Sequence, residues 1–382
     1  MDDALKTAIS NVKLRLRDFA VPKKDAPDLV WGSEGQRISI DRHQFPVPNL
    51  LLFILHGVCG FPLGWRGEKM HWCVPFAYKD INCTIAFEKF GLRLYINKSN
   101  SKVNPKEVLG KLEKAIGSAE KHILSTLAQQ QISDGNITIA NNFHKLDGQY
   151  HYFREQAETA YIPQEHYKSN DPVEGISEIL NRNFNAGRSG SFNALAMIDA
   201  YFSRLEHFFV LALAFSNYDR QSDNLVEFVG MVWSDKLKRI LNVNETSVQT
   251  FYEQLVNVKE KYRNTFAHGG FEKSGQSFYF HLPSFGAIPA SMSGHRESVH
   301  FNLFPVENDS FNNICKLFDE FDNYLKNDAL ISAWQFADSG LDLILEEKKL
   351  SEMLAESEDV DSFEQWIDRE GYIADMYANA DY

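Results

Sequence analysis

The stretch Phe192–Phe215, FNALAMIDAYFSRLEHFFVLALAF, is apolar over much of the circumference of a helix. A helix that is apolar on most of its sides must be covered by neighbouring elements on those sides. We therefore expect this stretch to be the central helix of a helical domain. The apolar residues at helical spacing that define its buried surface are Leu195, Phe202, Leu205, Phe209 and Leu213.

Three more helices are predicted around this central one, over Leu225–Leu241, Val248–Phe266 and Phe311–Leu325. The last two carry apolar side chains three and four residues apart, which is the periodicity of a helix buried on one face. Two alternating runs between them, Ser277–Leu282 and Ser298–Phe304, predict a β-hairpin. The sequence thus indicates a four-helix bundle with a β-hairpin insertion.

The part of the chain before this bundle is predicted to be mixed. Three short β-rich runs, Trp72–Tyr78, Asn82–Glu88 and Leu92–Ile96, are separated by turn residues and indicate an antiparallel meander. A helix is expected to begin at Pro105, a residue that suits the first turn. Other predicted elements are a helix over residues 3–18, a strand over Ile137–Ala140 and a helix around Gln149–Ala160.

The domain boundary is predicted at a polar stretch with two prolines. This gives an α+β fold class: an N-terminal mixed domain over residues 1–162, a linker over 163–175, a helical domain over 176–328 and a C-terminal helical appendage over 329–382. The N-terminal domain is a candidate sensor or targeting module by its position alone.

The net charge of −13 speaks against a nucleic-acid partner, because phosphate binding requires lysine and arginine. The acidity is uneven, however: residues 329–382 contain 14 acidic and three basic side chains, a net of −11. About −2 remains for everything before residue 329, so the main body is nearly neutral.

Several classes of protein are disfavoured by composition. The four cysteines have no C-x-x-C spacing, and a zinc site built on Cys59, His71 and Cys73 would lack the usual second pair of ligands. No signal peptide opens the chain, and the apolar run Val47–Phe61 is too short to span a bilayer. We expect a cytoplasmic protein without metal or cofactor and without membrane contact.

Polar residues close the third predicted helix, in the run Lys261–Gly270 (KYRNTFAHGG). With 100° per residue, Asn264 and His268 share one helix face, opposite the apolar stripe. Arg263 lies about a quarter turn away, and Gly269 and Gly270 are suited to end the helix. The three polar side chains are therefore expected to cluster at a helix C-terminus, facing solvent or a second subunit.

Each of these residues also has an ordinary structural explanation. Arg263 can bind helix carbonyls or a neighbouring carboxylate, Asn264 can be solvated, and His268 can be favoured by the helix dipole. Glu206 lies inside the apolar run of the central helix, where a carboxylate requires a partner. It is predicted to support the site by pairing with Arg263 or Arg204, and solvent exposure beside His207 is the equal alternative.

The pattern Arg263-Asn264-x-x-x-His268-Gly269 on the third helix of a small bundle resembles the HEPN superfamily. That family is marked by an arginine, usually followed by a polar residue, with a histidine four to six positions after the arginine. The resemblance covers roughly residues 176–328. It implies metal-independent cleavage of RNA at a composite cleft between paired domains, with Arg263, Asn264 and His268 as catalytic residues. It also implies a toxin, abortive-infection or antiviral role.

The residue chemistry agrees with that implication on separate grounds. RNA supplies its own nucleophile, the 2′-OH, so the protein need provide only proton transfer and charge stabilisation. Histidine titrates at ~6.5 and can act as base or acid, and a guanidinium can hold two phosphate oxygens. A homodimer would supply the second histidine that such a reaction uses.

Two functions are therefore open at the level of sequence: an endoribonuclease, or a non-catalytic HEPN-like scaffold that binds a nucleotide or a protein. The expected partners are an RNA substrate, a second copy of the chain, and a protein inhibitor or phage-derived trigger. The acidic residues 329–382 could imitate a nucleic-acid backbone and restrain the nuclease. A solvated acidic helix that aids solubility is the simpler interpretation.

Overall fold

The computed structural model describes residues 3–22, 35–64, 69–97, 103–162, 172–216, 218, 223–264, 277–283, 286–293, 298–300 and 304–379. The chain divides into two compact units, one of Met1–Ser133 with Ala374–Tyr382 and one of Asp134–Ile373. The first is built on an antiparallel sheet and the second is mainly helical, so the α+β fold class is confirmed.

A five-stranded antiparallel sheet of order β1-β3-β4-β5-β2 forms the first unit. Its strands are β1 (Phe19–Ala20), β2 (Gly35–Ser39), β3 (Met70–Tyr78), β4 (Ile81–Glu88) and β5 (Gly91–Asn97). The predicted meander is confirmed as β3-β4-β5. Lys79 and Asp80 have φ angles of 48° and 66°, the positive values of a two-residue hairpin turn that matches strand twist.

Helices cover one side of this sheet and share a core with it. They are α1 (Asp3–Arg15), α2 (Asn49–Leu52), α3 (Pro105–Ala119) and α4 (Ser125–Ser133), with wider π-helical turns at Phe53–Val58 and Glu120–Leu124. As predicted, α3 begins at Pro105, and Asn104 caps it by accepting a hydrogen bond from the Lys106 amide at 3.0 Å.

The second unit is assembled around α6 (Pro172–Ala212) and the following turn Leu213–Phe215. Its other helices are α5 (Phe143–Tyr161), α7 (Leu225–Gly230), α8 (Trp233–Ile240), α9 (Thr246–Val258), α10 (Asn308–Tyr324), α11 (Ile331–Ser339), α12 (Glu347–Glu356) and α13 (Val360–Asn379), which runs past the unit boundary. All five side chains that define the apolar surface of the predicted central helix are buried. Its central position is thus confirmed.

Three of the predicted elements have different bounds in the structure. The helix expected over Leu225–Leu241 is broken into α7 and α8, since Val232 between them is extended. A π-helical turn, Lys259–Asn264, continues α9. The predicted hairpin is a three-stranded meander, because Gly286–Ser293 is a strand whose Pro289 and small residues conceal its alternation. We label the meander β7 (Ser277–Leu282), β8 (Gly286–Ser293) and β9 (Ser298–His300).

The predicted domain boundaries need correction at both ends of the helical part. Strand β6 (Thr138–Ile139) pairs with β10 (Leu343–Ile344), and α5 packs against α6 in the same core. Residues 134–162 therefore belong with the helices and not with the N-terminal domain. Phe336 and Phe363 are buried in that core too, so most of the acidic stretch 329–382 is part of the helical unit and no appendage.

Candidate functional site

The polar motif follows directly from α9. Arg263 and Asn264 are the last two residues of the π-helical turn that continues this helix, whereas His268, Gly269 and Gly270 lie outside the described residues. A π turn has i→i+5 hydrogen bonds and is wider than an α turn. The predicted face shared by Asn264 and His268 assumed an α-helical pitch; Lys259–Asn264 is π-helical, and residues 265–268 lie outside the described residues.

Aromatic contacts hold the π turn against the bundle. Tyr262 is buried there, and the Lys259 ammonium lies 5.6 Å from the ring centre of Phe202 on α6 and 5.3 Å from that of Trp233 on α8. A cation over an aromatic face is attracted by the negative charge of that face. Arg263 and Asn264 thus end a turn whose Lys259 contacts two helices of the helical unit.

After the meander, Val306 is fully buried in the core of the helical unit. Tyr161 Oη donates to the Val306 carbonyl at 2.6 Å, and Ser191 Oγ accepts from the Val306 amide at 3.2 Å. Burial raises the pKa of Tyr161, and the charge of Glu307 and the neighbouring Tyr262 raise it further. The chain segment that carries His268 therefore lies between two residues that are buried in the bundle, Tyr262 and Val306.

A groove of about 440 Å³ opens between α10 on one side and α9 with its π turn on the other. It is lined by Gln254, Asn257, Val258, Lys261, Tyr262, Ser310, Asn313, Ile314, Lys316, Leu317 and Glu320. The apolar members form buried parts of both helices, whereas the amides and charged groups are at least partly exposed. The groove reaches Lys261, two residues before Arg263, so it adjoins the motif along the chain.

Sequence reasoning did not find this groove. Gln254, Asn257 and Lys261 have the spacing of one helix face, and Ser310, Asn313 and Lys316 repeat every three residues on another helix. Each stripe taken alone looks like an ordinary solvated face. Only the packing of α9 beside α10 brings the two stripes together.

Glu206 is half-buried on α6, but its charge acts on a residue that was not foreseen. Lys236 of α8 is 4% exposed; burial lowers the pKa of its ammonium and the Glu206 carboxylate opposes that shift. The suggested pair with Arg204 is not formed, because Arg204 binds Asp147 and Asp322 instead. Residues two apart on a helix point in different directions, which explains the difference.

Arg204 is the centre of a buried polar cluster that the sequence did not reveal. Its guanidinium binds Asp147 of α5 and Asp322 of α10 and lies 4.8 Å from the ring centres of both Tyr150 and Tyr201. Burial raises the pKa of Asp322, whereas the charge of Arg204 and the hydrogen bond from Tyr201 Oη at 3.1 Å lower it. The partners of this cation among the described residues all belong to the helical unit, which makes the cluster a structural one.

The insertion between α9 and α10 contains other histidines. His281 is exposed on β7, His300 lies in β9, and His295 and Arg296 are outside the described residues. Within the described ranges, no three His, Cys, Asp or Glu side chains are grouped so that they could hold a metal ion. In the same ranges, no helix has both the length and the apolar character needed to cross a bilayer.

Comparison with known proteins gives no assignment: the chain matches no family model, and no curated protein and no solved structure is significantly similar to it. The functional reading therefore depends on the residues and their geometry.

Proposed function

We propose that this protein is an endoribonuclease that cleaves RNA without a metal ion, with Arg263, Asn264 and His268 as its catalytic residues. The observation that carries the proposal is the run Arg263-Asn264-x-x-x-His268-Gly269, which begins in a π turn at the end of a bundle helix.

The HEPN-like arrangement is part of the same proposal. In this assignment α6, α8, α9 and α10 are the four bundle helices, and the β7-β8-β9 meander is inserted between the last two.

The reaction proposed is an internal transesterification. His268 removes the proton of the 2′-OH, the 2′-oxygen forms a bond to phosphorus, and the bond from phosphorus to the 5′-oxygen breaks. A proton delivered to that 5′-oxygen completes the step, which leaves a 2′,3′-cyclic phosphate and a 5′-OH. Arg263 holds the non-bridging oxygens as their charge increases, and Asn264 orients the phosphate or the imidazole.

A homodimer follows from the proton balance of this reaction. One histidine removes a proton while another group must donate one, and a twofold-related copy supplies a second His268 in the acid form. The biological role proposed with this activity is that of a toxin or an antiphage abortive-infection effector in the cytoplasm, controlled by a protein inhibitor or a phage-derived trigger.

The test is incubation of the purified protein with total RNA in EDTA, followed by analysis of the ends. We expect fragments with 2′,3′-cyclic phosphate and 5′-OH ends from the wild type. His268→Ala and Arg263→Ala should each abolish cleavage and any growth arrest on expression. His281→Ala is the matched control, because it removes an exposed histidine outside the motif and should cut RNA normally.

Two results would refute the activity. If both motif variants cleave RNA as fast as the wild type, the activity belongs to other residues or to a contaminant. Intact RNA at high concentration of a folded wild-type dimer would favour the scaffold function.

A further inference from the structure

We propose that the groove between α9 and α10 binds a nucleotide of single-stranded RNA beside the cleaved bond. This assignment rests on the ribonuclease activity proposed above and specifies single-stranded RNA as its substrate. It makes the enzyme selective for unpaired RNA, and it makes Lys261 and Lys316 phosphate-binding residues.

The size and surface of the groove suit one nucleotide. Its volume of about 440 Å³ lies within the range of roughly 300–1,000 Å³ that small-ligand sites occupy. Val258, Tyr262, Ile314 and Leu317 contribute apolar surface, on which the flat face of a base can rest. A base can reach such a depression only when it is unstacked, as in single strands and loops.

The rim has the hydrogen-bonding groups that base edges require. Gln254, Asn257 and Asn313 are exposed amides, and each offers two donor hydrogens and one acceptor oxygen. Base edges present a mixture of donors and acceptors, so amides can pair with them where a lysine or a carboxylate pairs with only one kind. Two of these amides come from α9 and one from α10, so the groups face the groove from both sides.

Phosphate binding is assigned to the two lysines of the rim. Lys316 lies 3.8 Å from Glu320, and both side chains are more than half exposed, so their ion pair is weak and can be exchanged for a phosphate. Lys261 lies on the opposite wall, in the same π turn as Arg263. Lys261 precedes Arg263 by two residues, so a strand bound at Lys261 lies within one helical turn, along the chain, of the residue that would hold the cleaved phosphate.

Replacement of Glu320 should change RNA affinity in the direction opposite to replacement of the lysines. As the acidic residue among the groove-lining side chains, it repels a polyanion and neutralises part of the charge of Lys316. Removal of its charge should therefore strengthen RNA binding, whereas removal of either lysine should weaken it. A groove that binds an apolar or a basic protein surface would not show this pair of effects.

The experiment measures binding without cleavage. The probe is a fluorescent 2′-O-methyl oligoribonucleotide of mixed sequence, which lacks the 2′-OH nucleophile, and its anisotropy is followed with the full-length protein. We expect Lys261→Ala/Lys316→Ala to bind at least tenfold more weakly and Glu320→Gln to bind more tightly. The slope of log affinity against log salt should fall by about 0.7 for each lysine removed.

Two controls lie close to the groove but outside it. Asn312 is exposed on α10 beside Asn313 and donates to Asn308, and Lys326 is exposed in the turn after α10. Asn312→Ala and Lys326→Ala should keep the wild-type affinity within twofold. A duplex of the same sequence should compete poorly, because a paired base cannot enter the groove.

Failure of this proposal can be told apart from failure of the ribonuclease proposal. If the double lysine variant keeps its affinity, or the duplex binds as well as the single strand, the groove assignment is wrong even when RNA is cleaved. It is equally wrong if the variant alters only the oligomeric state in sedimentation, since the groove would then be a contact between copies. Lysine-dependent binding with uncut natural RNA would instead overturn the ribonuclease and retain the groove.

Discussion

Arg204 Nη1 donates to Asp147 Oδ1 at 2.6 Å, and this contact joins α6 to α5 in the middle of the helical unit. The side chain of Arg204 is 4% exposed, and its other terminal nitrogen binds Asp322 of α10. The guanidinium of Arg204 thus links three helices. Two of these helices contribute to the candidate site: α10 forms a wall of the groove, and α6 packs against the π turn. The integrity of the site depends on this cluster although none of its members lines the groove.

Replacement of Arg204 by alanine should strongly destabilise the helical unit. It would leave two carboxylates close together without their cation, and loss of one partner from a buried pair costs about 3–5 kcal/mol. We expect this decrease in the free energy of unfolding, measured by urea denaturation with tryptophan fluorescence. Arg188→Ala is the control, because Arg188 lies on the same helix and makes an exposed bond to Asn185. Equal stabilities of the two variants would contradict a structural role for Arg204.

The stability of the helical unit should fall in mild acid because of His207. Its Nε2 accepts a hydrogen bond from the Asn142 amide at 2.9 Å, and burial lowers the pKa of the imidazole, with a further decrease from Lys236. The unfolded chain takes up the proton near pH ~6.5, whereas the folded chain resists it. Stability is therefore constant above about that pH and is lost as the pH falls through the lower, folded pKa.

The measurement for His207 is urea unfolding at pH 7.5 and pH 5.5. His207→Gln should reduce the difference between the two conditions, since glutamine keeps an acceptor but does not titrate. His122→Gln, at an exposed position in the first unit, should leave the difference unchanged. If the His207 variant shows the full wild-type loss in acid, the titrating group lies elsewhere.

Two glycines predict opposite effects of the same substitution. A Cβ at Gly190 of α6 would meet the Tyr161 ring at 2.5 Å, and that ring is held by its bond to Val306. A Cβ at Gly148 of α5 meets nothing within 4 Å. Gly190→Ala should lower the melting temperature through overpacking that costs about 1–3 kcal/mol. Gly148→Ala should raise it, by the roughly 1 kcal/mol that alanine gains in a helix.

These glycine variants also test how the motif-bearing insertion is anchored. If Gly190→Ala displaces Tyr161, the return of the chain at Val306 is loosened and proteolysis within residues 265–303 should become faster. Gly148→Ala should leave that rate unchanged. A melting temperature that rises in both variants would show that Tyr161 can move aside without cost.

Periodicity was sufficient to predict the elements whose faces differ strongly in polarity. The central helix was correct because Phe202, Leu205 and Phe209 require burial whatever surrounds them. The meander β3-β4-β5 was correct for the same reason, with turn residues between its strands. Strand β8 was missed because its own residues do not show a clear alternation. It forms a strand by pairing with β7 on one side and β9 on the other.

The candidate site was only partly predictable. The run from Arg263 to His268 is visible in the sequence, but the pitch of the turn that carries it is not, since nothing in Lys259–Asn264 distinguishes an α from a π turn. The groove and the Arg204 cluster depend on which helices become neighbours. Asp147, Arg204 and Asp322 are far apart in the chain, and no local pattern relates them.

Composition was misleading about the acidic stretch 329–382. Its net charge of −11 suggested a separable tail. Asn141, two residues before the start of α5, nevertheless makes hydrogen bonds to this stretch. The amide of Asn141 donates to Asp342 Oδ1 at 2.9 Å, and its side chain donates to the carbonyls of Phe336 and Ala337 at 3.3 and 3.0 Å. Most of the described charged side chains in this stretch are exposed, while Phe336, Leu343 and Phe363 are buried in the core.

Deletion of residues 329–382 should therefore unfold the helical unit and not release a restrained nuclease. The loss of buried Phe336, Leu343 and Phe363 alone would cost several kcal/mol, at about 2–5 kcal/mol for each large core side chain. We expect the truncated protein to lose its cooperative thermal transition and to aggregate. A truncated protein that melts like the wild type would mean that α11 to α13 contribute nothing to the core.

To test whether the acidic surface restrains RNA cleavage, a variant must lose surface charge and keep the core. The triple variant Glu352→Gln/Glu364→Gln/Asp368→Asn meets both conditions. All three side chains are exposed, so the melting temperature should stay within a few degrees of the wild type. If the acidic surface imitates a nucleic-acid backbone over the cleft, this variant should cleave RNA faster than the wild type at low salt, and the difference should shrink as salt screens the charges. Equal rates at every salt concentration would leave these carboxylates as solvated groups that keep the protein dispersed.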